Sequence, residues 1–508
     1  MEYSSDVWRG SFCIEVSPIP NTVVIFGASG DLAHRKLLPA MFNLYRKKLF
    51  HEDSLIVGCA RTPMSDDEFR AKVKGGLPDG DPALLSRFLE KIHYHAGAYD
   101  DPETYSGLAK KLCCLEQHRC PESCRIYYLS TPSTLYTDIV GRLGVAGLTS
   151  ENDSGMPWRH VVIEKPFGRD LESAERIDRE LHHSLRESQI YRIDHYLGKE
   201  TVQNILMMRF ANLLFEPIWN NQYIQRVQIT AAESLGVEHR AGYYDQSGLL
   251  RDMFQNHMLE MLSLVAMEPP VSFEANSVRN EKLKLIQSLR PVRRKEVKNS
   301  FLRGQYAAGK INGREVPGYR SESGVAPESL TETYAAGRFF IDNWRWRGVP
   351  FFLRSGKRLA RRVSEIAITF KQVPHSIFAP IRAEDLPANE LVLNVQPEEG
   401  MALMIQAKQP GPKLCMGTLT LDFKYAEVFG GPIPDAYERL LLDCMLGDQT
   451  LFIRNDIIKA SWEFFAPVLD AWADPQSDCP LHFYEAGTQG PEAASSYFFK
   501  DGLLWRNI

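Results

Sequence analysis

The chain has 508 residues, more than one hydrophobic core usually organises, so two or three domains are expected. With 44% apolar and 24% charged residues, and 59 basic against 64 acidic side chains for a net charge of −5, it does not have the balance of a nucleic-acid-coating protein, although a local basic pocket is still possible. No stretch approaches the roughly 18 uninterrupted apolar residues of a membrane span, and the start, MEYSSDVWRGSF, lacks a basic region followed by an apolar one, which predicts a cytosolic location and reduced thiols.

In chain order, TVVIFGASG reads as a short apolar strand ending in a glycine turn, and DLAHRKLLPAMFNLYRKKLF as a helix with Leu, Met, Phe and Tyr at helical spacing. SLIVGCAR follows as a strand, then SDDEFRAKVKGGL as a helix with Ser65 as its N-cap. CCLEQHRCPESC, with Cys113, Cys114, His118, Cys120 and Cys124, lacks the paired C-x-x-C spacing of a zinc ribbon. It reads better as a helix and a loop than as a metal site, and no metal is expected. RIYYLSTP and RHVVIEKPFG are further strands. Short apolar strands separated by helices predict a doubly wound, Rossmann-like α/β domain over residues 1–200. Before its last strand lies a long connection, VAGLTSENDSGMPWRH, which reads as a surface loop.

Beyond residue 200 the pattern changes. QRVQITAAES, VPFFLRSGK, SEIAITFKQV, NELVLNVQP, GMALMIQAKQ and LTLDFKYAE alternate apolar with polar residues, as half-exposed strands of a mostly antiparallel sheet do. LLRDMFQNHMLEMLSLVAM and DAYERLLLDCML are helical, and INGREVPGYRSESGVAPES reads as surface loop. The second domain, 201–508, is therefore expected to be α+β and built on a large sheet that offers a face for self-association.

Two features of the first domain point to a dinucleotide. Gly27, Gly30 and Ala33 form G-x-x-G-x-x-A between strand and helix, which permits a tight turn and close approach of a pyrophosphate to a helix N-terminus. A plain βα turn would also favour these glycines. The second strand ends in Arg61 where an NAD site usually carries an acid, and a guanidinium suits a 2′-phosphate. The alternative is an ordinary surface arginine.

Three blocks then occur together: GASGDLAHRK, EKPFG and RIDHYLGKE. With RDMFQNH, RGQYAAG, VPFFLRSGK, ELVLNVQP and PDAYERLLLD, they give the chain a pattern that closely resembles the glucose-6-phosphate dehydrogenase family over nearly its whole length. The resemblance implies oxidation of glucose 6-phosphate at C1 with NADP as cofactor, NAD being the weaker alternative. It also implies His257 as general base and Asp194 as its carboxylate partner. His195, Tyr196 and Lys199 are implied as the phosphate clamp, and a helix beginning there would set His195 and Lys199 four apart on one face. Lys36, Lys165, Glu233, Asp252, Lys357, Arg362 and Gln396 match substrate-pocket positions, and carboxylates there suit sugar hydroxyls. Ser29, Asp31, Leu32, Arg61, Tyr128 and Lys165, with Gly27 and Gly30, match cofactor contacts, and Pro166 shapes the contact at Lys165. Arg358 and Arg361 in RSGKRLARR read as readily as a solvated face. The family also implies a homodimer or homotetramer. A second, structural NADP site, found in some members, is not expected, because its matching places carry Val363, Ala367 and Asn394. Two other readings are a sugar oxidoreductase of the glucose–fructose oxidoreductase kind, which needs no phosphate clamp, and a catalytically silent dinucleotide sensor.

Overall fold

All six residues of β1 (Asn21–Phe26) are buried. A Thr-Val-Val-Ile-Phe run achieves this only in the middle of a sheet covered on both faces. β2 (Leu55–Ala60), β3 (Ile92–Ala96), β4 (Cys124–Leu129), β5 (Arg159–Ile163) and β6 (Ile190–Arg192) join it in the order β3-β2-β1-β4-β5-β6. Every pair is parallel. The computed structural model, which describes residues 17–78, 80–116, 123–378, 381–430, 434–498 and 505–508, thus carries the expected doubly wound domain. Strand order reverses at β1, and such a switch point opens a crevice beyond the carboxyl ends of the strands.

Local signals act as read. The Ser65 hydroxyl accepts from the Glu68 amide and the Glu68 carboxylate accepts from the Ser65 amide, a capping box worth about 1 kcal/mol to the helix Asp66–Lys74. Cys113 and Cys114 lie exposed on the helix Pro102–Glu116 and Cys124 starts β4. His118 and Cys120 lie outside the described residues, as does the start, residues 1–16. The long connection before β5 is a surface loop pinned by buried Leu148 and Thr149.

The second sheet is built from β7 (Ile224–Ala232), β8 (Phe301–Ala307), β11 (Tyr334–Phe339), β12 (Phe351–Gly356), β13 (Val363–Phe370), β14 (Glu390–Gln396), β15 (Gly400–Lys408), β16 (Met416–Lys424) and β17 (Leu481–Glu485). A small hairpin of β9 (Gly309–Ile311) and β10 (Arg314–Val316), with one turn of helix at Tyr319–Ser321, occupies part of the stretch read as loop. The nine strands run β16-β15-β14-β13-β7-β12-β11-β8-β17. Only β7–β12 and β8–β17 are parallel, so the sheet is mostly antiparallel as expected.

One expectation is corrected. β7, β12 and β13 are not half-exposed but largely buried on both faces. Phe254, from the helix over one face, stacks at 6.4 Å on Phe339, which pairs with Phe351. On the other face Trp505 meets Phe352 at 6.1 Å, and Arg506 reaches Glu365 and Glu390. Polar residues on these strands face partners rather than water. β15 and β16 do stay partly open, with Leu419 and Leu421 exposed.

The helix Ala436–Leu446 seats the second sheet's side against the first. Its N-cap Asp435 receives Lys36 at 2.7 Å, and Glu438 receives Asn43 at 2.9 Å and Lys47 at 2.6 Å. Near its other end the Cys444 carbonyl lies 2.9 Å from His160 Nδ1, a ring stacked on Trp158. Among the described residues no helix is long and apolar enough to cross a membrane.

Candidate active site

Two sheet edges face one another. Gly27, Arg61, Glu164 and Asp194 follow the carboxyl ends of β1, β2, β5 and β6, where open parallel sheets bind ligands. From the second sheet, Glu233 follows β7, Lys357 follows β12, Arg362 precedes β13 and Gln396 ends β14. Registers Gly356–Ala232, Val363–Ala232 and Ser364–Gln396 bring all four to one edge.

Asp194 and His257, 63 positions apart, meet at the junction. Asp194 is wholly buried, and its Oδ1 accepts from the Tyr196 amide at 2.9 Å and from His257 Nδ1. With Nδ1–H directed at the carboxylate, His257 Nε2 holds the lone pair, and Lys165 Nζ donates to it at 2.6 Å. Burial lowers the His257 pKa, outweighing the pull of Asp194. Burial pushes the Asp194 carboxyl up, but His257 beside it and Lys165 beyond hold it well below the usual carboxylate range. A neutral, oriented imidazole next to an ionised carboxylate has the chemistry a general base requires. Asp194, His195 and His257 also lie close enough to ligate a cation. However, Nδ1 is spent on Asp194, and the Lys165 ammonium on Nε2 opposes a second positive charge.

The segment after β6 departs from the expected helix. Helical winding begins only at Glu200, and residues 194–198 form successive turns, Leu197 N to Asp194 O at 3.0 Å and Lys199 N to Tyr196 O at 3.1 Å. The cause is local: the Asp194 side chain binds the amide two residues on, a competitor of the helix. His195 and Lys199 are therefore not one turn apart on a helical face, although the turns keep them together. Lys199 Nζ lies 4.0 Å over the Tyr196 ring and donates to Gln396 Oε1 at 2.6 Å. Arg362 donates to the same oxygen at 3.0 Å, and the Gln396 amide donates to Ser364 at 2.8 Å. Two cations on one amide oxygen mark a place suited to an anion with several acceptor oxygens. Burial and the neighbouring Arg362 bring Lys199 down to about 8. His195 is lowered by burial and by His257, and its ring stands edge-on to His257 at 4.7 Å.

Lys357 donates to Glu233 at 2.6 Å and lies 3.9 Å from Asp252. Asp252 and His257 share the π-wound stretch Leu250–Met258, whose i, i+5 spacing sets them on one face. Lys165 Nζ spans both, donating to Asp252 O at 3.0 Å. Lys36 stands apart, held by Asp435. Arg361 is solvated as read, but Arg358 is not: half-buried at φ 54°, it pairs with Glu322 at 3.2 Å and Glu238 at 3.4 Å.

At the dinucleotide end, Gly27 has φ 82°, and a Cβ there would come within 2.3 Å of Ser130 O, so no other residue fits the turn. Gly30, Asp31 and Arg61 are exposed and Ser29 and Leu32 half-exposed, while Asp31 pairs with Arg35 at 3.3 Å. Glycine turn, helix start and exposed guanidinium together fit a phosphorylated dinucleotide. Tyr128 is fully buried and donates to Glu164 at 2.5 Å, so it bears on the site through that carboxylate. Three residues passed over in the sequence belong here. Asn256 accepts from Lys165 at 3.2 Å, and Glu164 is held by Tyr128 and Tyr437. Each sits inside a block already singled out, but nothing in spacing marks its partner.

A family model described as glucose-6-phosphate dehydrogenase, NAD binding domain, matches residues 24–204, and one described as glucose-6-phosphate dehydrogenase, C-terminal domain, matches residues 206–506. The glucose-6-phosphate 1-dehydrogenase of Aggregatibacter actinomycetemcomitans is 47% identical over 487 residues, covering 95% of this chain and 97% of that protein. That of Bacillus subtilis is 42% identical over 487 residues, covering 96% and 98%. A solved glucose-6-phosphate dehydrogenase in complex with glucose-6-phosphate superposes with a TM-score of 0.88 at 38% identity, over 97% of this chain and 100% of that one.

Proposed function

The chain belongs to the glucose-6-phosphate dehydrogenase family, and from that membership we infer that it oxidises D-glucose 6-phosphate at C1 to 6-phosphoglucono-lactone with NADP+, the first step of the oxidative pentose phosphate pathway. The observation that carries the reading is the Asp194–His257 pair beside a cation cluster on Gln396.

The residues divide the work as follows. Lys199, Arg362, His195 and Tyr196 hold the phosphate, which replaces Gln396 Oε1 as the acceptor for the two cations. Glu233, Asp252 and Lys357 bind sugar hydroxyls, the carboxylates accepting and the ammonium donating. The C1 hydroxyl comes to His257 Nε2, displacing Lys165, and His257 takes its proton while Asp194 stabilises the imidazolium. Lys165, already tied to Asp252 O and Asn256, stays within reach of the same oxygen. Gly27, Ser29, Gly30, Asp31 and Leu32 cradle the cofactor's pyrophosphate, and Arg61 meets its 2′-phosphate. When bound, NADP+ supplies the hydride acceptor.

The test follows absorbance at 340 nm with glucose 6-phosphate or free glucose, and NADP+ or NAD+. Rapid reduction of NADP+ by the phosphorylated sugar is expected, with a loss of about 10²–10⁴ in kcat for His257→Asn. Equal activity on free glucose would refute the clamp, and an active His257→Asn would refute the base.

The division near residue 200 into cofactor and substrate domains belongs to the same proposal, as does a homodimer or homotetramer formed through β15 and β16, whose exposed Leu419 and Leu421 support it; sedimentation velocity reads it. A cytoplasmic location belongs to the same proposal and is read by cell fractionation.

A further inference from the structure

Glu332 is a buried carboxylate that none of the steps above uses. It lies on the segment between β10 and β11, yet the hydrogen bonds it accepts come from the start of the stretch that carries His257 and from the helix before it. There the helix Ala241–Leu249 breaks at Gly248, with φ 71° and ψ 171°. The Leu249 amide donates to the Glu332 carbonyl at 3.1 Å and Tyr244 Oη donates to it at 3.2 Å. The Leu250 amide, first of the π-wound stretch, donates to the Glu332 carboxylate at 3.0 Å. Space at the break is fully used: a Cβ on Gly248 would come within 2.4 Å of Glu332 Oε1. The same segment is fastened beside it, because Asp245 accepts from Ser329 at 2.5 Å and from Tyr319 at 2.8 Å, and its carbonyl accepts from Thr331 at 2.7 Å.

The first amides of a helix have no partner within it, and a side-chain oxygen that satisfies one fixes where the helix starts. Here the helix so fixed carries Asp252, Asn256 and His257. Its own first residue provides no side-chain cap. We propose that Glu332 is a positioning residue of the reaction: by accepting from the Leu250 amide across the Gly248 break, it sets the register at which His257 meets Asp194 and Lys165. It touches neither substrate nor base and acts through the helix. The inference rests on His257 being the base.

The experiment compares Glu332→Ala, Glu332→Gln and Gly248→Ala in the full chain, using glucose 6-phosphate and NADP+, with His257→Asn alongside. Glutamine keeps an acceptor oxygen, whereas alanine at 332 removes it and alanine at 248 pushes it aside. A misplacement of about 1 Å at a reacting group costs on the order of 10²-fold. The expected result is a kcat loss approaching that size in both alanine variants, with KM for glucose 6-phosphate changed less than about threefold. In these variants the acid limb of kcat/KM against pH shifts, while Glu332→Gln keeps the wild-type rate and profile. Alanine variants that melt earlier but keep kcat and the pH profile would overturn the proposal, leaving Glu332 merely structural. So would a Glu332→Gln as impaired as Glu332→Ala. If Glu332→Ala does not fold, Gly248→Ala and Glu332→Gln decide in the same terms. An active His257→Asn would instead strike at the base, which separates the two failures.

Discussion

At the scale of single residues, ionisation states define a working pH window. His257 must be neutral to accept a proton, and burial sets its pKa below the ordinary 6.5, so kcat/KM should climb on a limb that lies below that value. In the proposed clamp Lys199 must be charged, and burial with the neighbouring Arg362 brings its pKa down to about 8, so the same parameter should fall as pH rises through that value, chiefly through KM. Lys199→Met should remove the falling limb and raise KM over the whole range; a wild-type limb in that variant would refute the assignment. Residue chemistry was the part most legible in the sequence. The glycines, Arg61 and the family blocks could be read directly. The pairing of Asp194 with His257 came only through the family resemblance, and that of Lys199 and Arg362 on Gln396 could not be read at all, because these residues are neighbours only in the fold.

Among elements, the helix Ala436–Leu446 shows how titration can act on stability. His160, on β5, is buried against Trp158 and bonded to the Cys444 carbonyl at that helix's end, and burial lowers its pKa to about 4. An unfolded chain takes up a proton near pH 6.5, but the folded ring resists until about 4. Its stabilising contribution is therefore complete above pH 6.5 and is lost as pH falls across that window, on the order of 3 kcal/mol in all. His160→Phe should flatten the decline of Tm between those pH values. An unchanged slope would exclude the ring as its source. Legibility at this scale was uneven. Capping and apolar runs located the first domain's strands and the helix after Ser65, because those signals are local. A helix beginning at His195 does not form because Asp194 binds the Tyr196 amide. The half-exposed strands became buried because Trp505 and Arg506, far along the chain, cover them.

For the whole molecule, the large sheet and its mostly antiparallel pairing were legible from alternation, but strand order was not, since β7 and β12 pair across more than a hundred residues. That order also determines how the enzyme would fail. The proposed base, His257, rides on a helix over the second sheet, and Asp194, the carboxylate bonded to it, follows the last strand of the first. Catalysis is therefore a sensor of how the two halves are seated. In a urea titration activity should vanish at a lower concentration than the far-ultraviolet dichroism of either sheet, because a slight parting separates Asp194 from His257 while every strand remains paired. Coincident loss of the two signals would refute this. Otherwise there is a range of mild denaturant in which the protein is still folded by every spectroscopic measure and already inert.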